Sequence, residues 1–475
     1  MKNKILLLTI ALCCIAITSK SQVRADSTET VTDIDGNVYK TVKIGTQVWT
    51  TSNLQTLRLN DGTPIPNVKD NTLWTGIKAP AFCTYENDEK ITSDNRLMYI
   101  GNGALYNAYT INSNKLAPTG WHIPSYEEWI TLMEFLGSNE EAYIKITQEK
   151  NGFFVTKAGI RAGGGKFMFG NTSCYWWSST SMSNEYNIGF YLSEKIGNII
   201  STLSHNDYGY SVRLLKNSES DNQAQKEIPK TESDINPETV KDIDGNVYTT
   251  VKLGTQTWMV ENIKTTKYRN GDLIETSKKP TTDLTKVVNP KYQWAYDANE
   301  ANVAIYGRLY TWFAATDSRN IAPVGWHVPS RWEWQLMKYY LQANSFQNDT
   351  SDWEGNNSFA KSISATTNWN SSTKKGSVGN TDFPEKRNAT GFTALPGGYR
   401  LHFGNNKYGP GAFNNVGLQA NWWTTSEQKL VHKTAYKTDT NVENAYQFYI
   451  SNDGVTLVQD SPSKKSGLSV RCIKD

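Results

Sequence analysis

Few side chains in this chain of 475 residues are placed to do chemistry. Glu128 and Glu333 could act as acids, and His122 and His327 stand upstream of them in matching contexts. General acid–base work needs such groups within hydrogen-bond reach of a substrate. Each glutamate, however, follows Ser125 or Ser330 at the spacing of a reciprocal capping box, which already accounts for it. Each histidine sits between a tryptophan and an aliphatic residue and reads as a hydrogen-bonded packing residue. Five histidines in the chain, unclustered, support neither a metal site nor a triad. No residue is assigned a catalytic role.

Asp33-Ile34-Asp35-Gly36-Asn37, repeated at Asp242 to Asn246, begins like a calcium loop. Such a loop needs further oxygen ligands and a late bidentate glutamate. Val38 and Tyr39 follow instead, and Lys40 and Lys43 add the wrong charge, so a hairpin turn is the reading. Beyond the N-terminal segment the cysteines are Cys83, Cys174 and Cys472. A Cys83–Cys174 bridge and separate buried thiols are both open. The spacings are not those of zinc ligands. No metal ligand is assigned and no cofactor is expected.

The strongest binding signal is aromatic. Trp176-Trp177 and Trp422-Trp423 sit in strand-like runs, where neighbouring side chains point to opposite faces. One indole of each pair should be core, and the other can face outward. An outward indole among Ser, Thr, Asn and Tyr suits a sugar ring, with Tyr399 and Arg400 as a polar wall. The competing reading has both indoles filling an irregular core.

An internal repeat must position these groups. Asp33 to Tyr39 returns at Asp242 to Tyr248, and Val42 to Trp49 at Val251 to Trp258. Both runs read as strands of a meander. Leu105-Tyr106 with Tyr109, and Leu309-Tyr310 with Trp312 and Phe313, suggest a helix packed on it. Gly120 to Trp129 returns at Gly325 to Trp334: a short strand, then a capped helix with Trp129, Leu132, Met133 and Leu136 on one face. Trp334, Met337 and Leu341 continue the second copy. Residues 356–388, rich in Ser, Thr, Asn, Lys and Gly, read as long surface loops. Three final blocks around Trp176, Phe190 and Val212, matched at Trp422, Phe448 and Val470, read as antiparallel strands.

Residues 1–21 read as a signal peptide: Lys2 and Lys4, the apolar run Ile5 to Ile17, and cleavage before Gln22. The rival is a lipoprotein signal using Cys13 or Cys14. No later stretch is apolar enough to span a membrane. A net charge of +3 is small for this length and argues neither for nucleic acid nor for an acidic partner, and no nucleic acid is expected. Residues 217–238 lack large apolar side chains and read as a flexible linker. Domains are expected at 31–216, shortened, and at 239–475.

In these ordered blocks the chain resembles two copies of the Fibrobacter succinogenes major paralogous domain. The marks are Asp-x-Asp-Gly-Asn-x-Tyr, Gly-Thr-Gln-x-Trp, Gly-Trp-His-[Ile/Val]-Pro-Ser-x-x-Glu-Trp, the 391–400 run ending in Tyr399-Arg400, the paired tryptophans and Ser469-Val470-Arg471-Cys472. The helix start and the Ser-Val-Arg ending are also similar to the formylglycine-generating family. That likeness implies an α+β class of two C-type-lectin-like domains, each an irregular antiparallel sheet with two helices and long loops. The oxidising chemistry of that family resembles a copper-bound cysteine pair, and this chain lacks the pair, so no enzyme is expected. The expectation is an exported, non-enzymatic binding or adhesion protein, extracellular, at the cell surface or periplasmic. Its partner would be glycan, engaged bivalently by tethered copies. The alternative is a cell-envelope protein partner, with the chain a structural or interaction module.

Overall fold

The computed structural model describes residues 29–88, 90–91, 97–98, 102–137, 139–148, 152–195, 197–218, 239–348, 357–403, 409, 411–428 and 443–475. The signal-peptide reading, with Cys13 and Cys14, and the linker from 219 to 238 lie outside the described residues. The chain divides into two compact units, one built mostly from the first repeat and one mainly from the second.

Each repeat opens with the expected meander. Strands Thr30–Thr32, Val38–Ile44 and Gln47–Thr50 pair antiparallel, with Val31 opposite Tyr39 and Val42 opposite Trp49. Their counterparts are Thr239–Lys241, Val247–Leu253 and Gln256–Met259. The last strand of each repeat then inserts beside the meander. Leu215 faces both Trp49 and His122, and Ile473 faces both Trp258 and His327. First and last strands thus share one five-stranded sheet, which closes each repeat on itself.

The capped helices form as their spacing predicts. Helix Tyr126–Leu136 and helix Arg331–Ala343 carry complete capping boxes. Ser125 Oγ accepts from Glu128 N at 3.2 Å while the Glu128 carboxylate accepts from Ser125 N at 2.7 Å. Two orphan amides are satisfied together, so the helix starts at one defined residue. Trp129, Leu132, Met133 and Leu136 are buried, as are Trp334, Met337 and Leu341. The Trp334 ring lies 4.8 Å from Trp258 in the meander, and 5.3 Å from Trp422 and 5.4 Å from Phe448 in a second, outer sheet of strands Gln419–Glu427, Ala445–Ser451 and Val458–Asp460. The Trp129 ring is set likewise against Trp49, Trp176 and Phe190. Aromatics bury much area each, so these rings join helix to both sheets.

The architecture is mixed α+β and sheet-rich. Leu105–Tyr106 and Leu309–Tyr310 are short strands; the helices start just after them, at Ala108–Ile111 and Trp312–Ala315. Helix Asn139–Thr147 is an addition that the sequence pattern did not suggest. The surface-loop reading of 356–388 holds over most of 366–388 but needs correction at 358–365. Phe359 and helix Ala360–Ile363 are fully buried, Lys361 included. Burial is possible because Lys361 Nζ donates to Asn380 O at 3.0 Å and pairs with Asp382. Ser362 and Ser364 hydroxyls close onto the carbonyls of Phe359 and Lys361 at 2.7 and 2.9 Å. Polar composition misleads when each polar group has an internal partner.

Replacing Trp334 by Ala leaves a cavity among Trp258, Phe392, Trp422 and Phe448. The expected cost is about 3–5 kcal/mol, read as a lower urea midpoint for the unfolding step that reports the second unit, with Trp334→Phe losing less.

Candidate functional site

All four paired tryptophans are fully buried, which corrects the expectation of an outward indole. The alternation is present, but both faces of this strand are covered. Trp422 belongs to one hydrophobic cluster with Trp258, Trp334 and Phe392. Trp423, on the other face, belongs to a second with Tyr310, Ile321 and Val470. Trp177 likewise stacks on Tyr210 at 4.3 Å, and Trp176 packs on Trp129 at 5.6 Å. Arg400 is no polar wall either. Its buried guanidinium donates to the carbonyls of Pro280, Thr282 and Leu401, and lies 4.2 Å over the Trp294 ring. Arg161 takes the same position in the first repeat, over Trp74 at 4.4 Å.

Of the six predicted residues, Tyr399 alone is only partly buried, and it borders a hollow of about 270 Å³ in the second unit. The floor is one face of a three-stranded sheet. Strand Gln419–Glu427 supplies Gln419 and Asn421, strand Ala445–Ser451 supplies Gln447 and Tyr449, and strand Val458–Asp460 supplies Asp460. Register sets Asn421 opposite Tyr449 and Gln447 opposite Asp460. Tyr399, Leu401 and Leu468 add an aromatic and aliphatic side. Two tyrosines, three carboxamides and one carboxylate therefore converge on one concave place. This arrangement can offer ring faces to C–H bonds and paired donors and acceptors to hydroxyls.

The matching place in the first repeat is built differently. Bridges Tyr106 to Tyr210 and Tyr310 to Leu468, with Trp176 to Ser211 and Trp422 to Ser469, fix the correspondence. Tyr175 stands for Asn421, Gly189 for Gln447, Tyr208 for Ser466 and Tyr210 for Leu468. Tyr175 stacks on Phe169 at 5.9 Å and on Tyr191 at 5.2 Å, and lies 5.2 Å from Tyr210. A Cβ on Gly189 would come within 2.7 Å of the Tyr210 ring, so the glycine admits the tyrosine. Burial pushes the Tyr175 phenol up to about 12, so it stays neutral. The hollow was readable only as a pattern: Gln419 and Asn421, then Gln447 and Tyr449, two apart on two strands, with Tyr175 and Gly189 in the first repeat where the second has Asn421 and Gln447.

The remaining candidates have partners within the fold. Asp33 accepts from the amides of Asp35 and Asn37 and from the Tyr39 hydroxyl, at 3.0, 2.9 and 2.6 Å. Asp35 accepts from Leu57 N, Thr56 Oγ1 and Arg58. These carboxylates close a turn, and Asp242 and Asp244 do the same. Cys83, Cys174 and Cys472 are buried thiols, so the Cys83–Cys174 bridge is not formed. Cys83 instead packs with Trp74, Ala81, Leu105 and Ala158. His122 and His327 tie strand to helix: Nε2 meets Glu128 at 2.8 Å and Glu333 at 2.7 Å.

A family model described as the Fibrobacter succinogenes major domain matches residues 42–216 and 251–474. No curated protein and no solved structure matches the chain.

The Glu333 carboxylate, helped by Asp475, raises His327 from its ordinary 6.5 to about 9. The folded state therefore holds the imidazolium, a contribution complete below about pH 6.5 and lost as pH rises through about 9. The thermal midpoint of the second unit is expected to fall as pH rises across that window. His327→Gln should flatten the profile there; an unchanged slope in the variant would contradict this assignment.

Proposed function

Because the chain belongs to the Fibrobacter succinogenes major domain family in two copies, we propose that it is an exported, non-enzymatic binding or adhesion protein whose ligand is glycan. The hollow between Tyr399 and Tyr449 carries this reading, since aromatic faces beside carboxamides suit a sugar ring better than a reaction. A C-type-lectin-like arrangement is in keeping with it, with terminal strands in one sheet and loops around an irregular second sheet. The non-enzymatic reading is supported by the candidate histidines and carboxylates being engaged in caps and turns. Export rests on the basic and apolar start of the chain. Among the described residues no helix is long and apolar enough to cross a membrane.

A second reading, an envelope module that contacts protein, is favoured by the first repeat. There Phe169 is 45 % exposed next to Met168 at 41 %, at the end of the tyrosine stack. A glycan array probed with the folded full-length chain separates the two. Binding is expected, and Tyr449→Ala should weaken it by about ten-fold or more, roughly 1.4 kcal/mol. A folded chain that binds no glycan but co-purifies with one stoichiometric envelope protein would favour the second reading.

A further inference from the structure

The hollow contains an unmet hydrogen-bonding demand. Gln447 is 6 % exposed, and its Oε1 is buried without a partner, while its Nε2 reaches Asp460 Oδ2 at 3.3 Å. Asn421, 3 % exposed, makes only a long 3.4 Å contact from Nδ2 to Gly398 O. A buried carbonyl oxygen left unpaired is costly, and native chains keep such groups chiefly where something else completes them. Gln447 and Asp460 both line the hollow, so a donor pair entering it would find the Gln447 carboxamide and the Asp460 carboxylate side by side. Adjacent hydroxyls on one saccharide ring supply such a donor pair, and Tyr399 and Tyr449 in the lining are aromatic partners for the ring's C–H bonds.

The charges around the hollow select further. Asp460 is the one carboxylate in its lining. The neighbouring cations face other groups. Lys464 pairs with Glu427 at 3.0 Å, Lys465 donates to Thr285 O at 2.7 Å, and Arg400 is held by its three carbonyls. No lining side chain offers a positive charge to an anionic sugar, and Asp460 opposes one.

Resting on the glycan reading above, we propose that the second repeat alone holds the saccharide, one per chain, and that the saccharide is uncharged. The first repeat has given up the same place to Tyr175, Tyr208 and Tyr210. Its Gly189 has no side chain to present where Gln447 stands.

The test is calorimetric titration of the full chain with four tetrasaccharides: cello-, manno- and chitotetraose, all uncharged, and tetragalacturonate, which is anionic. At least one uncharged probe is expected to bind with a stoichiometry of one, and tetragalacturonate at least ten-fold more weakly. Asn421→Tyr, which introduces the first repeat's residue, should abolish binding. Gln447→Met removes the unmet acceptor at similar volume. It should keep or raise the thermal midpoint while losing at least ten-fold in affinity, which a merely structural glutamine would not do. Tyr175→Asn should leave binding unchanged. Two saccharides per chain, preference for tetragalacturonate, or unaltered affinity in Gln447→Met would overturn the inference and leave the glycan reading standing. Binding of none of the four, with an array equally blank, would remove both; a blank titration beside a positive array would overturn only the assignment to these uncharged chains.

Discussion

In each repeat one buried asparagine ties together segments far apart in the chain. Asn53 Oδ1 accepts from Trp176 Nε1 at 3.0 Å and from Arg213 Nε at 2.7 Å, while its Nδ2 donates to Asn102 O at 2.8 Å. Asn262 does the same with Trp422, Arg471 and Tyr306 O, at 2.9, 3.2 and 2.9 Å. The arginine carries the link onward, to Phe154 O or Phe392 O, and lies 4.5 or 4.3 Å over the Phe153 or Phe392 ring. A guanidinium so buried is tolerable only when its donors are met, and removing any partner leaves a charge or an amide stranded. Gly103 and Gly307 complete the joint. A Cβ there would come within 2.4 Å of the Asn53 Cβ or 2.7 Å of the Asn262 Cβ, and both glycines have positive φ.

This polar joint explains why the paired tryptophans cannot serve a ligand directly. Their indole N–H groups are committed inside, Trp176 and Trp422 to the asparagine, Trp177 and Trp423 to the carbonyls of Tyr106 and Tyr310 at 2.7 Å. The outer sheet is thereby anchored at its centre. Residues farther along the same face, Asn421 and Tyr175 among them, can change without disturbing the frame. One repeat has a polar hollow there and the other a stack of rings, on matching backbones.

Much of the frame was legible in the residues. The repeat, the meander turns and the Ser–Glu capping boxes each rest on local rules that act within a few residues. The buried face of the Trp129 and Trp334 helices follows from the same 3.6-residue period. What failed was non-local. Alternation says that Trp422 and Trp423 point opposite ways, but not that a cluster covers each face. Arg400 looked like a wall because the carbonyls that bury it come from residues 280 and 282, over a hundred positions upstream. The 357–365 stretch is polar in composition yet sits in the core, because its partners Asn380 and Asp382 lie further along the chain. The hollow needs three strands in register before its lining is a set at all.

The two repeats share one frame and hold this place in opposite states, open in the second and filled in the first. A crystal structure of the full chain soaked with an uncharged tetrasaccharide tests this most directly. Sugar density is expected beside Tyr399 and Tyr449, within hydrogen-bond distance of the Gln447 side chain, and none against Tyr175. Density over the first repeat's tyrosines, or an indole of Trp422 or Trp423 swung out to meet the sugar, would contradict it.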